Sequence, residues 1–409
     1  MNTVPSNNTR LDYLDAVRAF ALLLGIVFHA SLSFLPVYIG WAVMDISTSE
    51  VVGVFALISH SFRMELFFLV AGFFSHMSYH RKGAANFLKS RVLRIAVPFV
   101  VGWILLRPLL VSGWIMGMQS LRGEVSIWPA LGEGFASLLG DYQAPFTGTH
   151  LWFLYYLLII TVGLLCCRTL VTRHEPLYRM CVARVDAVLM RWCRSPMAIF
   201  AVAIPTTGCL WFMGQWGMDT PDKSLAPHWP VAIIYGACFT SGWLMHRQVD
   251  ALHRFSQLRW YKALMAVIAI IAAVVLSPYE SQSGHPQATV LKLAFQFSYA
   301  VMMWSLVAIT IGIFRRFLDR PNKTVRYLAD ASYWLYLLHL PLVIWLQIAF
   351  AEVALHWSVK LALITGITLG LSLLAYDLLV RSTWLGRVLN GQRKPRLLSA
   401  ARFNRPALH

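Results

Sequence analysis

Residues 14–37 read LDAVRAFALLLGIVFHASLSFLPV, an apolar run broken only by Asp15, Arg18, His29 and a few serines. A helix needs about 20 mostly apolar residues to cross the hydrocarbon core of a bilayer, and this run has them. Runs of the same kind recur at 59–80, 92–116, 151–171, 196–216, 229–246, 260–276, 291–314, 329–350 and 358–380. The pattern predicts an all-α, polytopic integral membrane protein of about ten transmembrane helices. The stretch 40–58 predicts a short surface helix ahead of the second span. Of 409 residues, 58% are hydrophobic and only 13% charged, with a mean hydropathy of +0.60. A soluble domain carries about 25% charged residues, so a water-facing surface is excluded. Asp12 and Asp15 do not suit a basic leader, and the first run is long enough to span and stay, so no cleavable signal peptide is expected.

The net charge is +17. Nucleic acid would be one reading of it, but the basic residues lie between the apolar runs, which is how a membrane protein sets its orientation. The expected partner is therefore the lipid bilayer and not nucleic acid. Arg81, Lys82, Lys89, Arg91 and Arg94 follow the second run; Arg168, Arg173, Arg179, Arg184, Arg191 and Arg194 follow the fourth. Arg247, Arg254, Arg259 and Lys262 follow the sixth, and Arg315, Arg316, Arg320, Lys323 and Arg326 the eighth. The tail adds Arg381, Arg387, Arg393, Lys394, Arg396, Arg402 and Arg405. The alternate loops carry Asp45, Glu50, Glu124, Glu133, Asp141, Asp219, Asp222, Glu280 and Glu352, with Arg122 and Lys223 as their basic residues. This alternation predicts both termini in the cytoplasm. The chain divides into a cytoplasmic amino terminus (1–13), a transmembrane domain (14–380) and a basic cytoplasmic tail (381–409), whose end from 393 has a disordered composition. Within 173–195, Leu177, Cys181, Val185, Val188, Leu189 and Trp192 recur at helical spacing among arginines, which predicts an interfacial amphipathic helix. Cys166, Cys167, Cys181, Cys193, Cys209 and Cys238 have no metal-ligand spacing and read as reduced structural thiols.

A charge near the bilayer centre costs at least about 2.5–3.5 kcal/mol, so each needs a partner or a purpose. Arg18 and His29 are eleven positions apart, which leaves them about 20° apart around a helix and about 16 Å apart along it. Asp15 lies one turn before Arg18 and can neutralise it. An anion site at the cytoplasmic end and a proton acceptor deeper in would share one face, and histidine is the side chain best matched to proton transfer near neutral pH. Snorkelling of Arg18 and simple packing of His29 also fit. His60, Arg63 and Glu65 in HSFRMELFF (60–68), His150 in HLWFL (150–154) and His339 in SYWLYLLH (332–339) point toward one periplasm-side pocket. For His60 and His150 an interfacial structural role fits equally, and Trp152 and Tyr155 read as belt residues. Arg91 and Arg94, one turn apart, suit phosphates through bidentate hydrogen bonds, while orientation charge alone would also explain them.

These motifs in this order resemble the acyltransferase-3 family of membrane acyltransferases. The matching features are Arg18 and His29 with ten residues between, RVLR (91–94), FFLVAG (67–72), HLWFL, and the tyrosine-rich run ending at His339; together they cover residues 11 to about 380. Within the family, HSFRMELFF is similar to the subgroup of osmoregulated periplasmic glucan succinyltransferases. The resemblance implies a membrane-bound, acyl-CoA-dependent O-acyltransferase of the bacterial inner membrane, with a periplasmic glucan as acceptor and succinyl-CoA as co-substrate. It implies no bound cofactor or metal, and a second copy or a glucan-synthesis complex as further partners. Arg18, Arg91 and Arg94 would hold the CoA phosphates, and His29, with Arg18, would carry catalysis. His60, Arg63, Glu65, His150 and His339 would form the acyl and acceptor pocket. A proton-coupled transporter or polysaccharide flippase is the alternative class, since it too would need intramembrane His, Arg and Glu. A structural partner in a glucan-synthesis complex is a third. Acyl-CoA turnover by the purified protein separates the first from the other two.

Overall fold

The computed structural model describes residues 11–139, 149–282 and 284–396. Asp141, Arg402 and Arg405, with residues 1–10 and the last part of the tail, lie outside the described residues. The regular structure among the described residues is all helical, with no strand. In order it forms α1 (Asp12–Ser31), α2 (Glu50–Lys82), α3 (Ala84–Arg91), a π-helical turn (Val92–Ala96) and α4 (Val97–Gln119). Then come α5 (Ile127–Ala136), α6 (Trp152–Thr172), α7 (Glu175–Arg194), α8 (Ala198–Leu210), α9 (Trp229–Arg247) and α10 (Val249–Phe255). The chain continues as α11 (Trp260–Leu276), α12 (Ala288–Phe317), α13 (Lys323–Phe350), α14 (Trp357–Ala375), a second π-helical turn (Tyr376–Val380) and α15 (Trp384–Asn390).

Each of the ten apolar runs falls on a helix. Eight helical stretches among the described residues are long and apolar enough to cross a membrane, and a ninth results if α7 and α8, bent 110° to each other, are taken as one span. The difference from ten lies in α8 and α9. With 13 residues, α8 rises only about 20 Å, less than the hydrocarbon thickness. In α9, small and polar residues such as Gly236, Thr240, Ser241, Gly242 and His246 dilute the apolar pattern. One of them, Gly242, has a packing reason that it shares with Gly72 of α2. A Cβ at Gly242 would lie 1.8 Å from the Leu69 carbonyl oxygen, and one at Gly72 1.9 Å from that of Phe239. The backbones of α2 and α9 thus touch, which only small residues permit.

Local chemistry sets the ends. The Ser49 side chain accepts from Val51 N–H at the start of α2, and Asn322 accepts from Thr324 and Val325 N–H at the start of α13. Gly83, at φ +76°, ends α2 and lets the chain reverse into α3. Three expectations are corrected here. The surface helix foreseen within 40–58 is instead the first turns of α2, continuous with the span from Glu50. Trp152, read as a belt residue, is buried and stacks on Tyr235 with ring centroids 5.6 Å apart. The disorder expected from 393 does not hold for 394–396: Lys394 Nζ pairs with Asp330, Arg381 Nε donates to Pro395 O at 2.7 Å, and Arg396 Nη2 donates to Leu378 O at 2.9 Å. By contrast, 173–195 does form an amphipathic helix. Leu189 and Cys193 are buried, Arg179, Arg184 and Arg191 are exposed, and Asp186 pairs with Arg247 of α9.

The start of α1, the end of α2, the π-helical turn before α4, the start of α13 and α15 gather at one end, called here the near end. The end of α1, the start of α2 and the start of α6 mark the far end.

Candidate active site

One cavity of about 390 Å³ runs between α1, α2, α6, α13, α15 and the π-helical turn before α4. Arg18, Arg91, Arg94, Asp330 and Asn390 line its near end, and His29, His60, Arg63, His150, His339 and Thr220 its far end. Between them the wall is apolar, with Leu22, Phe67, Val70, Phe74, Phe153 and Leu157. Arg18 and His29 therefore do share a face of α1, as their spacing requires. On α2 the cavity takes the stripe Arg63, Phe67, Val70 and Phe74.

Glu65 is the expected pocket residue that the cavity does not include. Two positions from Arg63, it points about 200° away around the helix. It falls on the stripe of Leu69, Gly72 and His76 that packs on α9. It is wholly buried there, and neither carboxyl oxygen has a hydrogen-bond partner among the described residues.

At the far end the hydrogen bonds fix the protonation pattern. His339 Nδ1 lies 3.1 Å from Leu335 O and 2.8 Å from Tyr336 O. Carbonyls only accept, so Nδ1 carries the proton, and in the neutral ring Nε2 is the acceptor. His29 Nδ1, 3.0 Å from that Nε2, must then donate. The proton of His29 is thereby held on Nδ1 and the lone pair on Nε2, which makes no hydrogen bond among the described residues. This is the arrangement a general base needs, with a third group fixing its tautomer.

The backbone around His29 is held as firmly. Gln347 Nε2 donates to His29 O at 3.0 Å and to Ala30 O at 3.1 Å, serving carbonyls at the end of α1. Trp41 Nε1 donates to Gln347 Oε1 at 3.0 Å, and its ring lies parallel to that of His29, 6° between planes.

His150 is seated by a proline. Pro341 has no N–H, so the carbonyl four residues earlier, Leu337, lacks its helical donor. His150 Nε2 donates to that oxygen at 3.1 Å, while the Tyr336 hydroxyl donates to His150 O at 2.6 Å. His60 reaches Thr220 Oγ1 at 3.2 Å and the Tyr299 hydroxyl at 3.4 Å. Thr220 comes from a distant loop, and no local sequence signal could have found it. The Arg63 guanidinium lies 4.3 Å from the Phe28 ring centroid, and its Nη1 is buried without a hydrogen-bond partner among the described residues. It forms no ion pair with Glu65 or with any other described residue.

The near end is looser. Arg18 Nη2 donates to Ala329 O at 2.7 Å and sits 3.6 Å from Asp15. Arg91 Nη2 donates to Ser75 Oγ at 2.7 Å, and its guanidinium lies 4.7 Å from the Phe87 ring centroid. Arg94 stands within the π-helical turn; its backbone carbonyl accepts from the Tyr333 hydroxyl at 2.6 Å, and its guanidinium makes no hydrogen bond among the described residues. Such single π-helical turns concentrate at functional sites. An anion entering here would meet three guanidinium groups, one of them uncommitted.

The cavity thus has cationic groups at one end and an oriented histidine at the other. The chain belongs to the acyltransferase-3 family, whose family model, described as an acyltransferase domain, matches residues 11–377. It is thus a multi-pass membrane acyltransferase. Over 408 residues it is 26% identical to the proteins named glucans biosynthesis protein C of Salmonella agona and Salmonella enteritidis PT4, covering 96% of this chain and 97% of theirs. No solved structure matches the chain.

Proposed function

We propose that this acyltransferase takes an acyl group, specifically succinyl, from acyl-CoA at the cytoplasmic face of the bacterial inner membrane and transfers it to a hydroxyl of a periplasmic glucan. The near end of the bundle is the cytoplasmic end in this reading, and both termini lie there. The observation that carries it is the single cavity joining the arginines of the near end to the oriented His29 at the far end. A CoA phosphate group suits guanidinium groups at the mouth, and the apolar wall between suits an extended thioester arm. No cofactor is required, since the thioester is already activated.

The reaction balances on one histidine. His29 Nε2 takes the proton as the glucan hydroxyl oxygen attacks the thioester carbonyl carbon. The C–S bond then breaks, and the thiolate leaves with the proton returned from His29. His339 holds His29 in the competent tautomer throughout. Arg63 supports the succinyl assignment, because a buried guanidinium without an anion in a membrane span needs one from somewhere. The distal carboxylate of a succinyl group would supply it, and an acetyl group would not. The glucan acceptor rests on the name borne by the relatives.

Mass spectrometry of periplasmic glucans from cells with and without the gene tests the reading. Succinyl groups should be present only with it, and purified protein should consume succinyl-CoA in the presence of glucan. Unmodified glucans in both strains would overturn the acceptor assignment, and no consumption of any acyl-CoA would overturn the donor. Fusing compartment-specific reporters to the loop at Glu124 and to the 173–194 segment tests the sidedness. The first should report from outside and the second from inside.

A further inference from the structure

The family match stops at residue 377, yet the cavity does not. Leu389 and Asn390, from the helix α15 beyond it, line the near end beside Arg94. Three features hold this segment in place. Asn390 Nδ2 donates to the Tyr376 hydroxyl at 3.1 Å, within the second π-helical turn. Lys394 N–H donates to Arg381 O at 2.9 Å. Gly391 ends α15 at φ +82°, and its N–H donates to Arg387 O at 3.0 Å.

Gly391 is also where the segment meets the arginine. A Cβ built there would lie 2.0 Å from Arg94 Nη2 and 2.8 Å from its Cζ. The guanidinium therefore occupies the space where a side chain would begin, so a larger residue must displace it, and the left-handed conformation itself favours glycine. Three positions on, Lys394 Nζ pairs with Asp330, the one carboxylate among the described residues that line the near end of the cavity. Asp330 follows Ala329, whose carbonyl receives Arg18. Left without Lys394, that carboxylate would stand among the arginines, repelling an incoming anion and competing for Arg94.

We propose that residues 384–396 form a wall of the donor-phosphate subsite. Gly391 seats the Arg94 guanidinium, Asn390 faces the bound nucleotide thioester, and Lys394 masks Asp330 so that the arginines stay available to phosphate. The proposal rests on the acyl-CoA reading above and extends it to a segment outside the family match. Lys394 is a positioning residue, acting on phosphate through Asp330.

Free CoA, titrated into the purified full-length protein and its variants in detergent, tests this by calorimetry. Lys394→Ala should weaken CoA binding by about tenfold, the scale of one unmasked charge in a partly screened site. Adding Asp330→Asn to that variant should restore most of the affinity, because the charge being masked is gone. Gly391→Val should weaken binding as Arg94→Ala does. If Gly391→Val unfolds the protein, the Lys394 and Asp330 pair decides, since a second substitution that rescues affinity excludes general unfolding. Wild-type affinity in Lys394→Ala, or no rescue in the double variant, overturns the proposal while leaving the donor reading intact. Failure of the wild type itself to bind CoA would overturn both.

Discussion

Two pairs of histidines in this protein have nearly the same contact and opposite prospects. In one, His29 Nδ1 meets His339 Nε2 at 3.0 Å; in the other, His76 Nδ1 meets His246 Nδ1 at 2.9 Å. The first pair has its proton positions dictated by the carbonyls of Leu335 and Tyr336, and it lines the cavity. The second has no such anchor. Its remaining ring nitrogens make no hydrogen bond among the described residues, it lies outside the cavity, and its neighbours are the rings of His80, Trp243 and Phe73. The difference is that only the first pair has a fixed third group to decide which nitrogen is left free, and only the first lines the cavity.

The largest way to break this comparison is His29→Ala. Transfer should fall by about 10²–10⁴-fold, the usual contribution of a general base, with CoA affinity retained. Turnover near the wild-type rate would return His29 to packing. Next, His339→Ala should lower kcat by about 10–100-fold, as loss of an outer-shell orienting partner does, with little change in the Michaelis constant for donor. A fall in donor affinity at unchanged kcat would assign His339 to binding instead.

The cationic groups sharpen the same contrast with smaller effects. Arg63→Ala should shift the ratio of succinyl to acetyl transfer by about tenfold or more, the worth of a charge-assisted bidentate contact. Arg63→Lys should recover only part, since an ammonium lacks the fork. Competition assays with the two acyl-CoA donors measure this ratio, and equal loss of both transfers would make Arg63 structural. Arg91→Ala with Arg94→Ala should raise the Michaelis constant for acyl-CoA by about tenfold while kcat holds, the signature of lost uniform binding. At the small end, His76→Gln should leave turnover within about twofold and move the thermal midpoint by only a few degrees. A collapse of activity in that variant would show that the second pair is no packing contact.

Much of this was legible in the chain itself, for a physical reason. Helix spans follow from apolar runs of fixed length, and the shared face of Arg18 and His29 follows from 100° per residue; both are local properties. The stripe rule also places Arg63 and Glu65 on different sides of α2, although only the packing of α9 on the Glu65 side shows which of the two leaves the cavity. The proline that frees the Leu337 carbonyl is visible at Pro341, but not that His150 takes it up from 187 positions away. The proton on His29 depends on His339, 310 positions along the chain, and Thr220 reaches His60 across 160. The tail read as a disordered basic end because its composition is polar, whereas Asp330 and the Arg381 backbone give Lys394 partners that composition cannot reveal. Sequence alone therefore determined the spans, which polar side chains share a helix face, and at what depth along it. Only the tertiary structure decided which nitrogen is free and which carboxylate is masked, because hydrogen bonds between distant segments exist only once the helices have packed.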